Sequence, residues 1–289
     1  MSATALSAEP APAKARPFLK WVGGKRSLVT RLREHLPAHV RRYYEPFVGG
    51  GALFFSLAQE GPGSTLGTAR PTLSDRNERL IRTYRAVRDQ VDPLVECLQD
   101  HASHHSKEFF LELRDREIDR ETDDVAVAAW LIYLNRTAFN GLYRVNSKGR
   151  FNVPFGRYVR PRICDEDNLR ACSRILQGVE LRVAAYDEAT EGARARDLVY
   201  FDPPYVPVST TSSFTSYTRD GFTLDDQVGL RDLALELKDR GVHVVLSNSD
   251  TPTVRELYDQ GFQWRPVAVK RAINSVGSQR GPVGELIIW

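Results

Sequence analysis

Apolar and polar positions along this chain switch between two periods, and the switching sketches a parallel α/β sheet. Tyr43–Phe47 reads as a short strand, and a glycine turn then leads into a helix over Ala52–Gln59. Thr72–Ser74 is expected as a second strand ending at Asp75. Asn77–Arg88 follows, with Leu80, Ile81, Tyr84 and Val87 at helical spacing. The strand pattern returns at Val179–Ala184, Leu198–Phe201, Val242–Ser247 and Leu286–Trp289, with a helix over Leu230–Lys238. Strands that alternate with helices pair in parallel, because the helix carries the chain back to the same edge.

Between the two halves the period is helical from Pro93 to Leu134, with breaks near Ser103 and Thr122. From Asn135 to Arg162 it is lost, and Gly141, Gly149, Pro154, Gly156 and Pro161 punctuate a loop-like stretch. The expected division is a tail over 1–17, a sheet domain made of 18–91 and 178–289, and an inserted helical domain over 92–177. Met1–Pro17 is rich in Ala and Pro and reads as disordered. No run of about 18 apolar residues and no signal peptide is visible, so the expectation is a cytoplasmic protein without membrane contact.

Charge sharpens the middle segment. The net charge of +3 is small, but no Asp or Glu occurs from Val125 to Cys164. Arg136, Arg144, Lys148, Arg150, Arg157, Arg160 and Arg162 all fall there, interleaved with Phe139, Tyr143, Phe151, Phe155 and Tyr158. A second acid-free stretch, Gln260–Gly284, holds Arg265, Lys270, Arg271 and Arg280. Phosphate backbones and unstacked bases favour such surfaces, although a charge run is also the ordinary form of a solvated face. Cys97, Cys164 and Cys172 form no CxxC, so neither a disulfide framework nor a zinc site is expected. His101, His104 and His105 lack ligand-spaced partners and read as a solvated helix end or linker; no metal is expected.

Four stations carry candidate chemistry. Glu45-Pro46-Phe47-Val48-Gly49-Gly50-Gly51 places glycines between a strand and a helix, where backbone amides can approach a ligand. It departs from the dinucleotide fingerprint, because Phe54 stands in place of the third glycine. Asp75 closes the next strand and can accept hydrogen bonds from ribose hydroxyls or cap the following helix. Lys20-Trp21-Val22-Gly23-Gly24-Lys25 is not a nucleotide-triphosphate loop, since Arg26 follows Lys25. It can still present Lys25 to a carboxylate and Trp21 to a purine or sulfonium, at the start of a helix carrying Leu28, Leu32 and Leu36.

The sharpest station is Asp202-Pro203-Pro204-Tyr205, delivered by the Leu198–Phe201 strand. Chance gives this tetrapeptide in such a chain about once in a thousand. An adenine amine is a poor nucleophile because its lone pair is delocalised into the ring. Asp202 and a proline carbonyl can accept its hydrogens and turn the lone pair outward, which is catalysis by orientation and electrostatics. The prolines add rigidity and remove N–H donors, and Tyr205 offers a stacking face. A rigid turn alone would explain the prolines but not the acid and the aromatic.

With these stations in this order, the chain resembles the alpha group of N6-adenine DNA methyltransferases, and most closely the DNA adenine methylase (Dam-type) family, from Phe18 to Leu286. The resemblance implies a Rossmann-like S-adenosylmethionine-dependent α/β sheet with an inserted helical target-recognition domain. It implies S-adenosylmethionine contacts at Trp21, Lys25, Phe47, Gly49, Gly51, Asp75 and Asp202, with Asp202, Pro203 and Tyr205 as the catalytic group. Leu134–Asn146 and Gly149–Tyr158 are similar to the family's recognition region, which implies duplex DNA contacts at Lys20, Phe139, Asn140, Leu142, Arg144, Pro154 and Tyr158 and a GATC target. The family often has Tyr at the place of Phe139, so a hydroxyl contact is expected to be missing.

Base flipping is expected, because adenine N6 in a duplex cannot reach a cofactor pocket. It costs a few kcal/mol, of which stacking on Tyr205 returns about 1–3. Arg144 is the candidate for a bidentate guanine contact. If about five of the basic residues bind phosphates, log affinity falls against log salt with a slope near −4.5. Rival readings are methylation of RNA adenine or a protein amide, and a DNA-binding module without catalysis. Oligomeric state is not written in the sequence; a monomer is the default expectation.

Overall fold

A computed structural model describes residues 14–21, 23–61, 64–206, 222–270 and 282–289. A short helix α1 (Val29–Arg33) precedes β1 (Arg42–Glu45), α2 (Ala52–Ala58), β2 (Arg70–Asp75) and α3 (Glu78–Asp89). Four helices follow before the sheet resumes: α4 (Val91–Ser103), α5 (Lys107–Asp115), α6 (Asp124–Thr137) and α7 (Glu166–Leu176). Then come β3 (Glu180–Val183), α8 (Tyr186–Thr190), β4 (Leu198–Phe201), α9 (Leu224–Asp239), β5 (His243–Ser249) and α10 (Pro252–Leu257). An antiparallel pair closes the fold, β6 (Trp264–Lys270) and β7 (Pro282–Ile288).

The seven strands are ordered β3-β2-β1-β4-β5-β7-β6, with β7 antiparallel to β5. Strand order reverses between β1 and β4, which pair directly through Tyr43–Leu198 and Tyr44–Val199. In open α/β sheets the crevice outside that reversal is where ligands bind. The glycine station leaves β1 and Asp202 leaves β4, so both meet there.

Period-2 alternation sends successive strand residues to opposite faces. Tyr43, Leu73, Leu198 and Tyr200 enter one apolar cluster, with α2, α3, α6 and α7. Tyr44, Val199, Phe201 and Leu246 enter the other, against Leu230, Ala234 and Leu237 of α9. The first cluster runs without interruption into the inserted helices, because α6 is apolar on nearly every side and buried from Val127 to Leu134. A helix of that kind must be surrounded, and α3, α4 and α5 surround it.

Several expectations need correction. The disordered tail assigned to 1–17 overlaps described residues: Ala15 is buried, and Arg16 pairs with Asp165 at 2.7 Å and bonds Asn168. Asn135–Arg162 is not all loop. Its first residues end α6, and bridges Ala138–Phe155 and Val145–Phe151 fold the remainder into a narrow hairpin. His101 is not solvated but buried against Phe109 and Tyr133, and burial lowers its pKa. The β6 strand, with its exposed Arg265 and interrupting Pro266, carries no clear alternation in sequence. Among the described residues no helix is long and apolar enough to cross a membrane, and no cluster of metal-ligating side chains occurs.

Candidate active site and nucleic-acid interface

Gly49 and Gly51 follow β1 with φ of +45° and +65°, conformations that side chains resist. A Cβ on Gly49 would stand 2.6 Å from the Trp21 ring, and one on Gly51 2.7 Å from the Tyr84 hydroxyl. Trp21 therefore packs closely against the glycine turn at Gly49. The Gly49 N–H reaches Asp75 Oδ2 at 3.3 Å, and the Asn77 N–H reaches Oδ1 at 2.9 Å. Asp75 does not cap the next helix. Asn77 does, accepting from the Leu80 N–H. Burial pushes the Asp75 carboxyl up to about 6 against those two donors. A carboxylate has roughly four acceptor sites, and with the Arg76 N–H as a third backbone donor Asp75 still keeps acceptor capacity for a ligand.

Phe47 stacks on Tyr186 at 5.7 Å, which turns it toward the α8 side of the crevice. Behind it, Glu45 is buried, and the Tyr43 hydroxyl donates to its Oε2 at 2.7 Å. Burial, with Asp202 nearby, pushes the Glu45 carboxyl up to about 8. The folded state thus keeps a proton that the unfolded chain loses above about pH 4.5. Stability should fall as pH rises from about 4.5 to 8, and Glu45→Gln should flatten that fall. Melting curves at pH 5, 6.5 and 8 test this; parallel pH dependence in both proteins would refute it.

Asp202 emerges from β4 at the neighbouring strand end. Lys25, buried despite its charge, donates to Asp202 Oδ1 at 2.9 Å and also to the Gly23 carbonyl. The same ammonium lies 4.4 Å from the centre of the Tyr205 ring. Ser247, on β5, donates to Asp202 Oδ1 at 2.9 Å, and the Tyr200 hydroxyl is 2.9 Å behind it. Because Ser247 spends its only proton on Asp202, Tyr200 is the donor in that pair. Burial raises the Asp202 carboxyl, while Lys25 and Ser247 hold it down. The Tyr205 hydroxyl donates to Glu285 of β7 at 2.9 Å, fixing the ring. Pro203 is buried. Gln227 of α9 donates to the Pro204 carbonyl at 2.8 Å, so the Pro203 carbonyl is the one without a donor among the described residues.

The recognition candidates form a second group. Asn135 ties them together, accepting from the Lys20 N–H and donating to the Lys20 and Gly141 carbonyls. Lys20 Nζ lies 5.4 Å from the Tyr158 ring centre, and the Phe139 N–H donates to the Pro154 carbonyl. Phe139 is 45% exposed, and Asn140 adopts φ of +56°; Leu142 is half-buried beside them. Arg144 stands apart, exposed further along the hairpin, with Asn152 accepting from Nε at 2.8 Å. The two groups meet because Lys20 and Trp21 are consecutive, and Trp21 stacks on Tyr143 at 5.2 Å.

Sequence reasoning missed several members. Arg79 on α3 holds Asp119 with two bonds and donates to the Tyr143 hydroxyl and the Gly149 carbonyl, pinning the hairpin. Nothing in its helical context distinguishes it. Ser247 had a signal: Ser247-Asn248-Ser249 is a buried polar run ending an apolar strand. Some basic residues also prove to be structural. Arg136 donates to the Phe18 carbonyl, while Arg150, Arg162 and Arg265 are paired with Glu117, Asp165 and Glu34. Arg271 and Arg280 lie outside the described residues.

Comparison with known proteins agrees with this geometry. Residues 21–273 match the family described as D12 class N6 adenine-specific DNA methyltransferase. The chain is 41% identical over 278 residues to the type II methyltransferase M1.LlaDCHI of Lactococcus lactis, covering 94% of each chain. It is 40% identical to the type II methyltransferase M.MjaIII of Methanocaldococcus jannaschii, covering 92% of this chain and 96% of that one. With the DNA adenine methylase of Escherichia coli it shares 36% over 276 residues, 95% of each. A sheet whose strand order reverses between a glycine turn and Asp-Pro-Pro-Tyr, matched over nearly its whole length, assigns this chain to the D12 class of N6 adenine-specific DNA methyltransferases.

Proposed function

We propose that the chain transfers a methyl group from S-adenosylmethionine to the N6 amine of an adenine flipped out of duplex DNA, at GATC. The observation that carries this reading is the position of the Lys25 ammonium. It is a nitrogen donor held 2.9 Å from Asp202 Oδ1 and 4.4 Å from the Tyr205 ring centre. An amine of a stacked base needs the same two neighbours, a carboxylate to take its hydrogen and an aromatic face for its ring.

The side chains of the crevice fit the cofactor's chemistry. Lys25 can meet a carboxylate, Asp75 has acceptor sites for ribose hydroxyls, and Trp21 and Phe47 offer aromatic faces with Gly49 and Gly51 between them. When bound, S-adenosylmethionine supplies a methyl group on a positively charged sulfur. Lys25 would be shared with the cofactor carboxylate, staying close enough to Asp202 for its charge to act while leaving a carboxylate oxygen and the face of Tyr205 to the base. Asp202 and the Pro203 carbonyl then accept the two amine hydrogens and hold the lone pair out of the ring plane. The bound cofactor would supply the methyl group and keep the C–S bonding pair as a neutral thioether, while Asp202 would take the proton that the amine nitrogen sheds.

On the DNA side, Phe139 and Leu142 suit the gap left by the flipped base, and Arg144 suits a guanine edge. Arg144→Ala should lose about 1–3 kcal/mol of discrimination at one base pair with cofactor affinity unchanged. Competition between GATC and singly substituted duplexes measures this, and unchanged selectivity would remove the contact. Apart from Arg144, which is assigned here to a guanine edge, only Lys148, Arg157 and Arg160 of the basic stretch are exposed without an ion pair among the described residues. About three phosphate contacts replace the expected five, giving a salt slope near −2.7. Labelled methyl incorporation into duplex DNA, ribosomal RNA and protein tests the substrate class. Incorporation into DNA alone is expected, and labelling of RNA or protein instead would overturn the reading.

A further inference from the structure

The amino-terminal rim of the sheet, opposite the active-site crevice, has a concentration of charge of its own. Arg41 and Arg42 stand at the start of β1, Arg70 at the start of β2, and Arg194 just ahead of β4. With Val40, Thr68 and Gly192 these four line a groove of about 550 Å³. Arg42 and Arg70 are direct register partners on adjacent strands. Like charges placed side by side this way cost stability unless an anion lies against them. Compensation within the protein is thin. Arg41 pairs with Asp197 at 2.7 Å, while Arg42 bonds the Tyr44 hydroxyl and has Glu180 and Asp197 nearby, carboxylates that it shares with Arg182 and Arg41. Arg70 and Arg194 are exposed, with no ion pair among the described residues.

The lining also says what kind of anion fits. Among the described residues no aromatic side chain lines it, so a nucleobase has nothing there to stack on, and Val40 is the one apolar side chain of that lining. What remains is a set of guanidinium forks, whose geometry matches phosphate oxygens. The protein's substrate class is a polyanion made of such phosphates. The crevice opens at the carboxyl ends of β1 and β4, whereas this groove opens at their amino ends. The two surfaces face away from each other, and one straight duplex does not lie on both.

We propose that the rim groove holds the phosphate backbone of a second duplex segment while the crevice engages the first. Such a protein would pass from one segment to another without release into solution, because the second segment is held at high effective concentration. The inference rests on DNA as the substrate class and not on the target sequence or the cofactor.

The test uses the full chain and the double variant Arg70→Glu/Arg194→Glu. A target duplex is tethered to beads, protein is added below saturation, and retention of a labelled free duplex is read. The wild type should retain the free duplex, and the variant should lose that retention by about tenfold or more, since both removed charges are reversed. Affinity for a short target duplex and its single-turnover methylation should stay within about twofold, which separates failure of this proposal from failure of the activity itself. Retention by the variant, or none by the wild type, would overturn the proposal. Equal loss of short-duplex affinity would also overturn it, by assigning the groove to the same duplex as the crevice.

Discussion

Asp202→Ala should lower single-turnover methylation by at least about two to three orders of magnitude, the range seen when a preorganised polar group is removed from a reacting centre. Its carboxylate is positioned by Lys25 and by the Tyr200–Ser247 relay, so it needs no rearrangement when the amine arrives. Duplex affinity should hold within about twofold, because binding energy comes from the hairpin and from phosphate contacts. The variant leaves Lys25 buried without its partner, which costs stability. Asp202→Asn, nearly the same shape, separates that loss from lost chemistry. If the Asn variant melts normally and turns over at the wild-type rate, Asp202 does not have this role.

Lys25→Met should move the acid limb of the methylation profile to higher pH by about one to three units, at saturating cofactor. The sign follows from the neighbours of Asp202. Burial pushes its pKa up, and the Lys25 charge and hydrogen bond bring it back down. Without the cation only Ser247 and the other hydrogen-bond donors oppose burial, so the carboxyl keeps its proton to higher pH and cannot accept from the amine. Lys25→Arg keeps the positive charge and should keep most of the limb in place. A uniform rate loss with an unmoved limb in the Met variant would contradict the coupling. Cofactor affinity should also weaken in Lys25→Met, and its titration reports that separately.

How much of this was legible in the sequence follows from the range of each interaction. The strands of the sheet core are written in local periodicity, and Leu198–Phe201 is found where an uninterrupted apolar run placed it. The breaks near Ser103 and Thr122 were also legible, because α4 ends at Ser103 and Asp123 caps α6. Long-range geometry was not. That Lys25 meets Asp202 depends on a turn folding across 177 positions, the difference between their numbers. The Arg79 anchor and the Glu285 bond to Tyr205 are likewise tertiary. Arg150, Arg162 and Arg265 count as charge in a sequence, but their carboxylate partners are visible only in three dimensions. The docking of Ala15 and Arg16 on α7 was hidden by a composition that otherwise reads as disorder.

In the proposed reaction Asp202 and Tyr205 receive an adenine from one duplex sequence for methylation of its amine. Incubating plasmid DNA with the protein and S-adenosylmethionine, then mapping modified bases by sequencing, tests it most directly. The expected result is N6-methyladenine at GATC, absent when Asp202→Ala replaces the wild type. Methylation at another base, at adenines without sequence preference, or undiminished in the variant would contradict it.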